Sequence, residues 1–215
     1  MFYLPTLIYP NSFLPKPNCN FKPYGIRIAK EDLNLTCDSP KAIVIFVGGF
    51  CDTIMRAVFD TFLGFHNPNC IKLYASFNSL ELFSSWLPQL TTLKLPIFVI
   101  AHSWGANNFY HALKTLHNKQ ALQNNALELL LTLDPVGYKT PNLRPNAIKL
   151  WENIYITHKT HLLCRQNIMA LIGHSWNACN FADNNLTLSK PNHHASIQEM
   201  LEISSFNGRL NKLLY

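Results

Sequence analysis

Between Pro96 and Tyr110 the sequence reads Pro-Ile-Phe-Val-Ile-Ala-His-Ser-Trp-Gly-Ala-Asn-Asn-Phe-Tyr, an apolar, charge-free run that breaks at a serine and resumes with helical spacing. Ile97, Phe98, Val99 and Ile100 are β-branched or aromatic, the pattern of a central parallel strand covered on both faces. Beyond the break, Ala106, Tyr110, Leu113 and Leu116 recur at three- and four-residue spacing, as one face of a helix does. The chain must therefore turn from strand to helix at Ser103. Ala101 and Gly105, two positions to either side, are small, as required where a strained turn pushes its middle side chain outward and the backbone folds closely around it.

The same alternation runs through the rest of the chain. Residues 42–47 form a second charge-free run that ends in Gly48-Gly49-Phe50-Cys51-Asp52, a strand followed by a glycine loop. Helical spacing over 53–63, from Ile54 through Val58 to Phe62, stops near Gly64. A third strand is predicted over 70–75 and a short helix over 79–87, ended by Pro88. The leucine-rich segment 126–133 reads as a strand whose end presents Asp134, and 153–157 as another. Residues 168–172 fit either a strand or a helix. Residues 184–191 are polar and turn-rich, and one amphipathic helix, with Ile197, Met200, Leu201 and Leu210 inward, follows His193-His194. Strands alternating with helices predict an α/β fold with a mainly parallel, doubly wound sheet and helices on both faces. Sites in such sheets lie at the carboxyl ends of the strands, where Gly48 to Asp52, Ser103 and Asp134 fall.

At 215 residues, 48% hydrophobic and 14% charged, the chain is one domain with a full core, and no apolar run approaches the roughly 20 residues that span a bilayer. The net charge of +6 has no basic run or helix face behind it, which argues against a nucleic-acid partner and leaves a mild preference for anionic membrane surfaces. Residues 1–40 are rich in proline and asparagine and read as a wrap or arm, with a short edge strand near 25–29 and an aromatic cluster of Phe2, Tyr3, Tyr9 and Phe13. Lacking a cationic first segment and containing Pro5, Pro10, Pro15 and Pro17, this arm makes a poor signal peptide, so the expected location is cytoplasmic, or outside the cell by another export route. Six cysteines stand without CxxC pairs or histidines at zinc spacing, so no metal is expected and buried free thiols are the favoured reading; in an oxidising compartment, Cys19 and Cys37 are the easiest pair to link by a disulfide.

A serine hydroxyl attacks a carbonyl only when a histidine takes its proton and an acidic group orients that histidine. The chain supplies these in order: Ala-His-Ser-Trp-Gly around Ser103, Leu-Asp-Pro at Asp134, and His193-His194. These motifs resemble the nucleophile elbow, acid and histidine of the α/β-hydrolase family, most closely small bacterial lipases and lipase-like phospholipases, including effectors of secretion systems. Ala101 stands where the commonest elbow has glycine, but some small bacterial lipases resemble this sequence there. The resemblance makes residues 41–215 a minimal α/β-hydrolase domain and implies catalysis by Ser103, Asp134 and His194. Asp183, one strand later, and His193 are the alternates. It also implies an oxyanion hole built from the backbone N–H groups of Phe50 and Trp104, with Gly49, Phe50 and Trp104 against the substrate and no cofactor. Phe59 and Tyr138 are further candidates for an acyl pocket, and Asp52 and Arg56 for its entrance. His102 is read as a packing residue pointing away from Ser103. The run Gly173-His174-Ser175-Trp176-Asn177 repeats the letters of the elbow, yet Asn177 replaces the small residue the turn needs, so Ser175 is a decoy and His174 a fallback at most.

The implied reaction is hydrolysis of a lipid carboxylic ester by a lipase, esterase or phospholipase. The same residues would serve an acyl-carrier thioesterase, and a catalytically silent hydrolase fold acting as a binding module is the remaining alternative. The implied partner is a lipid or acyl ester, with peripheral membrane contact, and the oligomeric state is left open.

Overall fold

The computed structural model describes residues 6–10, 12–17, 33, 35, 37, 39–157, 173–189 and 193–215. Phe2, Tyr3, Cys19, Cys164 and the segments 25–29 and 168–172 lie outside them. Seven strands form one sheet in the order β1-β3-β2-β4-β5-β7-β9. They are β1 (Leu7–Ile8), β2 (Ala42–Val47), β3 (Cys70–Ala75), β4 (Ile97–His102), β5 (Leu129–Leu133), β7 (Trp151–Tyr155) and β9 (Asn184–Thr187). All pair in parallel except β1, which runs antiparallel to β3 at the edge. β2 to β5 are buried along their whole length, which is why their sequences are apolar on both faces but for a few residues such as Lys72 and Thr132, and not alternating.

The two faces of the sheet are covered separately. Ile43, Ile45 and Val47 of β2 pack against α3 (Leu80–Thr91) and α4 (Ser103–Asn118), whereas Ala42, Val44 and Phe46 face the other way. That second face is closed by α2 (Ala57–Gly64), α5 (Ile197–Ile203) and α6 (Phe206–Leu214). This is the doubly wound α/β architecture expected from the sequence. The N-terminal segment is tied down where it is described: Leu7 and Ile8 pair with Ala75 and Tyr74, and the indole N–H of Trp86 donates to the carbonyl of Pro15 at 2.7 Å. Among the described residues no helix is long and apolar enough to cross a membrane.

Several local expectations are corrected. The helix expected over 53–63 is two helices, α1 (Asp52–Met55) and α2, because Arg56 takes a left-handed conformation at φ 60° between them. Pro88 does not end α3, which continues one turn to Thr91; the buried Trp86, Leu87 and Leu90 hold the last turn on the core despite the missing N–H. Residues 184–187, expected as a turn, form the edge strand β9, whose largely exposed side chains erase the apolar signal. The single C-terminal helix is α5 and α6, with a break at Ser204 and Ser205. A separate small sheet joins β6 (Val136–Gly137) to β8 (His174–Ser175) in antiparallel fashion.

α2 is held at its carboxyl end by a buried lysine. The Lys72 ammonium, on β3, donates to the carbonyls of Phe62 and Phe65 at 2.9 Å and of Leu63 at 3.3 Å, the unsatisfied acceptors of a helix end. Replacing it with methionine keeps the apolar stem and strands those carbonyls. Lys72→Met is expected to lower the unfolding free energy by about 3 kcal/mol in urea denaturation. A loss below about 1 kcal/mol would show that the lysine adds little to that helix end.

Candidate active site

Ser103 stands where β4 becomes α4, with φ 55°, a left-handed conformation that costs a non-glycine residue about 1–2 kcal/mol. The turn is possible because its neighbours are bare. A Cβ at Gly105 would overlap the carbonyl oxygen of Gly48, and one at Gly49 would lie 2.9 Å from the Ser103 Cβ. The loop after β2 is therefore pressed directly against the serine. Asp134, the residue after β5, is also left-handed at φ 37° and is fully buried. Such conformations persist only where the surroundings enforce them, and they gather at functional sites.

Three of the sequence-predicted residues come together in one hydrogen-bonded chain. The Asp134 carboxylate accepts from His194 Nδ1 at 2.6 Å, and His194 Nε2 lies 2.7 Å from the Ser103 hydroxyl oxygen. All three residues are buried. A carboxylate only accepts, so Nδ1 carries the hydrogen; in the neutral imidazole Nε2 is then the bare nitrogen that accepts from the serine hydroxyl. This arrangement can move a proton from hydroxyl to imidazole while the carboxylate compensates the charge that develops. Ser103 and His194 line one cavity with Gly49, Phe50, Asp52, Met55 and His102. Trp104 follows Ser103 as the second residue of α4, and its ring meets that of Tyr138 edge-on at 4.8 Å. Phe50 lies beside Phe77 at 5.0 Å.

The alternates are elsewhere. Asp183 pairs with Arg144 at 2.7 Å and accepts from the Trp151 N–H at 2.7 Å, a brace between β7 and the loop before β9. His193 turns to the Ser196 hydroxyl at 3.2 Å. Ser175 and His174 form β8, with His174 exposed, and no helix follows them. Phe59 is in the core, against Tyr74 and Phe62, and is not among the residues that line the Ser103 cavity. Arg56 forms an exposed pair with Asp60. His102 does not point away from the site: strand alternation ends at the left-handed Ser103, and His102 lines the same cavity. Among the described residues no three His, Cys, Asp or Glu side chains gather as metal ligands.

No protein-family model and no curated protein matches the chain. Among solved structures, a type II thioesterase of the yersiniabactin NRPS/PKS biosynthetic pathway is similar over 82% of this chain and 94% of its own, with a TM-score of 0.47 and 7% identity. TT1662 of Thermus thermophilus is similar over 83% of this chain and 91% of its own, with a TM-score of 0.42 and 12% identity. At such identities and scores these are likenesses of shape, with no bearing on the chemistry of the site.

Asp52, a candidate for the entrance on the sequence, is buried. Its carboxylate accepts from the N–H groups of Val58 and Phe59 at 2.9 Å each and from the Tyr74 hydroxyl at 2.8 Å. It thereby caps α2 from outside the helix. Burial pushes the carboxyl from 3.8 up to about 6, against the pull of those donors. A folded-state pKa above the unfolded one means the folded chain binds the extra proton, so the contribution of Asp52 to stability is greatest in acid. It falls as pH rises from about 4 to about 6, by about 3 kcal/mol. The stability advantage of the wild type over Asp52→Asn is therefore expected to shrink by that amount between pH 4 and 7 in paired denaturation curves. A difference that stays constant or grows with pH would refute the raised pKa.

Proposed function

We propose that the chain is a serine hydrolase that cleaves carboxylic esters of lipids through an acyl-enzyme. The observation behind this reading is the continuous chain of hydrogen bonds from the Ser103 hydroxyl through His194 to Asp134, at 2.7 and 2.6 Å, on a serine held in a left-handed turn. The Ser103 oxygen bonds to the ester carbonyl carbon as its proton passes to His194 Nε2, and the carbonyl π pair moves to the oxygen. The N–H groups of Phe50 and Trp104 receive that oxyanion; in known cases each such donor is worth about 3 kcal/mol. Collapse of the intermediate breaks the bond to the alcohol oxygen, which takes the proton from His194. Water, deprotonated by the same imidazole, then releases the acid and restores Ser103.

Support for an acyl substrate comes from the apolar groups near the serine. Phe50, which lines the cavity with Ser103, packs on Phe77, and Trp104, next in sequence to Ser103, meets Tyr138; these rings offer aromatic surface for a hydrocarbon chain. The net charge of +6 favours an anionic lipid interface over a neutral one. Peripheral contact with a membrane and the absence of a nucleic-acid partner belong to the same reading.

Hydrolysis of nitrophenyl esters of increasing chain length, phospholipids and acyl-pantetheine thioesters, with fluorophosphonate labelling alongside, tests the proposal. Ser103→Ala and His194→Ala are each expected to reduce turnover by about 10⁴- to 10⁶-fold, while His193→Ala keeps wild-type rates. Thioesters turned over well ahead of every oxygen ester would reassign the substrate to an acyl carrier. A wild type that neither hydrolyses any of them nor labels at Ser103 would make the chain a silent binding module.

A further inference from the structure

We propose that His102 is a positioning residue, which fixes the main chain of His194 and ties the loop after β2 to the loop bearing that histidine. This rests on the reading of Ser103, His194 and Asp134 just given. His102 Nε2 lies 2.7 Å from the backbone carbonyl oxygen of His194. A carbonyl oxygen only accepts, so Nε2 carries the hydrogen and donates it. The two imidazoles pack with centroids 4.4 Å apart, tilted by 42°, and both residues are buried. On its other side the ring rests on Gly49, where an added Cβ would come within 2.9 Å of Nδ1. In the sheet, His102 is paired with Leu133, the residue before Asp134. One imidazole thus touches the loop of Phe50 and the loop of His194, at a strand end in register with the one bearing Asp134.

His194 needs this second anchor. Its ring is bound at Nδ1 by Asp134 and at Nε2 by Ser103, but those bonds orient the ring without fixing the backbone from which it hangs. His194 lies inside a tight turn, closed by the Ser196 N–H bonded to the His193 carbonyl at 3.1 Å, before α5 begins. The bond from His102 ties that turn to β4, beside the packing of Ile197 in the core. Without it the turn can slide, and Nε2 loses its 2.7 Å approach to Ser103. A displacement of about 1 Å at a reacting group costs on the order of 10²-fold in rate.

Gln and Met at position 102 separate donation from packing, since both fill similar space and only the glutamine amide presents a donor near the place of Nε2. His102→Met is expected to lower kcat and the rate of fluorophosphonate labelling at Ser103 by about 10²-fold with KM unchanged, and His102→Gln to recover most of that loss. His102→Asn, polar but too short to reach the carbonyl, should behave like His102→Met and replaces it if that variant does not fold. Equal losses for the Gln variant and for the variants that cannot reach the carbonyl, or no loss in either, would overturn the role of His102 while leaving the hydrolase reading intact. A wild type whose Ser103 does not label would sink the hydrolase reading, and this inference with it.

Discussion

The fold and the site both depend on a contact too close for a side chain. Gly105, on the first turn of α4, lies against the carbonyl of Gly48, and Gly49 lies against Ser103 and His102. Two adjacent parallel strands, β2 and β4, end side by side, and the segments leaving them have only backbone between them. A larger residue at 105 would drive α4 away from the β2 loop and separate Ser103 from the amide of Phe50. The left-handed strain at Ser103 is offset by the burial of β4 and α4, whose Val99, Phe109, Tyr110 and Leu113 are inaccessible to water.

A second constraint sets the other end of that loop. α2 carries a buried carboxylate at its amino end and a buried ammonium at its carboxyl end, each matched to the partial charge there. Lys72 and Tyr74, two residues apart on β3, reach the same face of the sheet; the first holds the carboxyl end of α2 and the second holds Asp52. Because Asp52 follows the Gly48 to Cys51 loop directly, β3 fixes where that loop stops. The loop of Phe50 is thus held at one side by Gly105 and at the other by Asp52, which is bonded to Tyr74 of β3 and to the first turn of α2.

The sequence revealed what burial writes into it. β2, β3 and β4 are covered on both faces, so their apolar runs stand out, and the turn at Ser103 is announced by the small residues around it. β9 lay hidden because an edge strand with exposed side chains needs no apolar pattern. The break at Arg56 was invisible because a left-handed arginine has no sequence signature, whereas glycine would have had one. Asp183 and Asp134 each stand near a strand, and only their partners, a guanidinium for one and an imidazole for the other, tell them apart. Strand alternation, which would turn His102 away from Ser103, does not extend to Ser103, because the strand gives way to a left-handed turn there.

The repeated letters His-Ser-Trp show how little a motif means without its surroundings. At Ser103 they span a strand-to-helix turn with glycine two residues on; at Ser175 they span an extended pair with β6 and are followed by Asn177. The second copy nonetheless contributes to the site. The Trp176 N–H donates to the carbonyl of Pro135 at 3.0 Å, directly after Asp134, and β8 pairs with the strand that follows. A Cβ at Gly173 would strike both Val136 and the ring of Trp104. The copy therefore packs on the first motif and braces the loop that leaves Asp134. A left-handed aspartate with its carboxylate aimed at an imidazole keeps that geometry only if the chain leaving it is held, and Trp176 holds it.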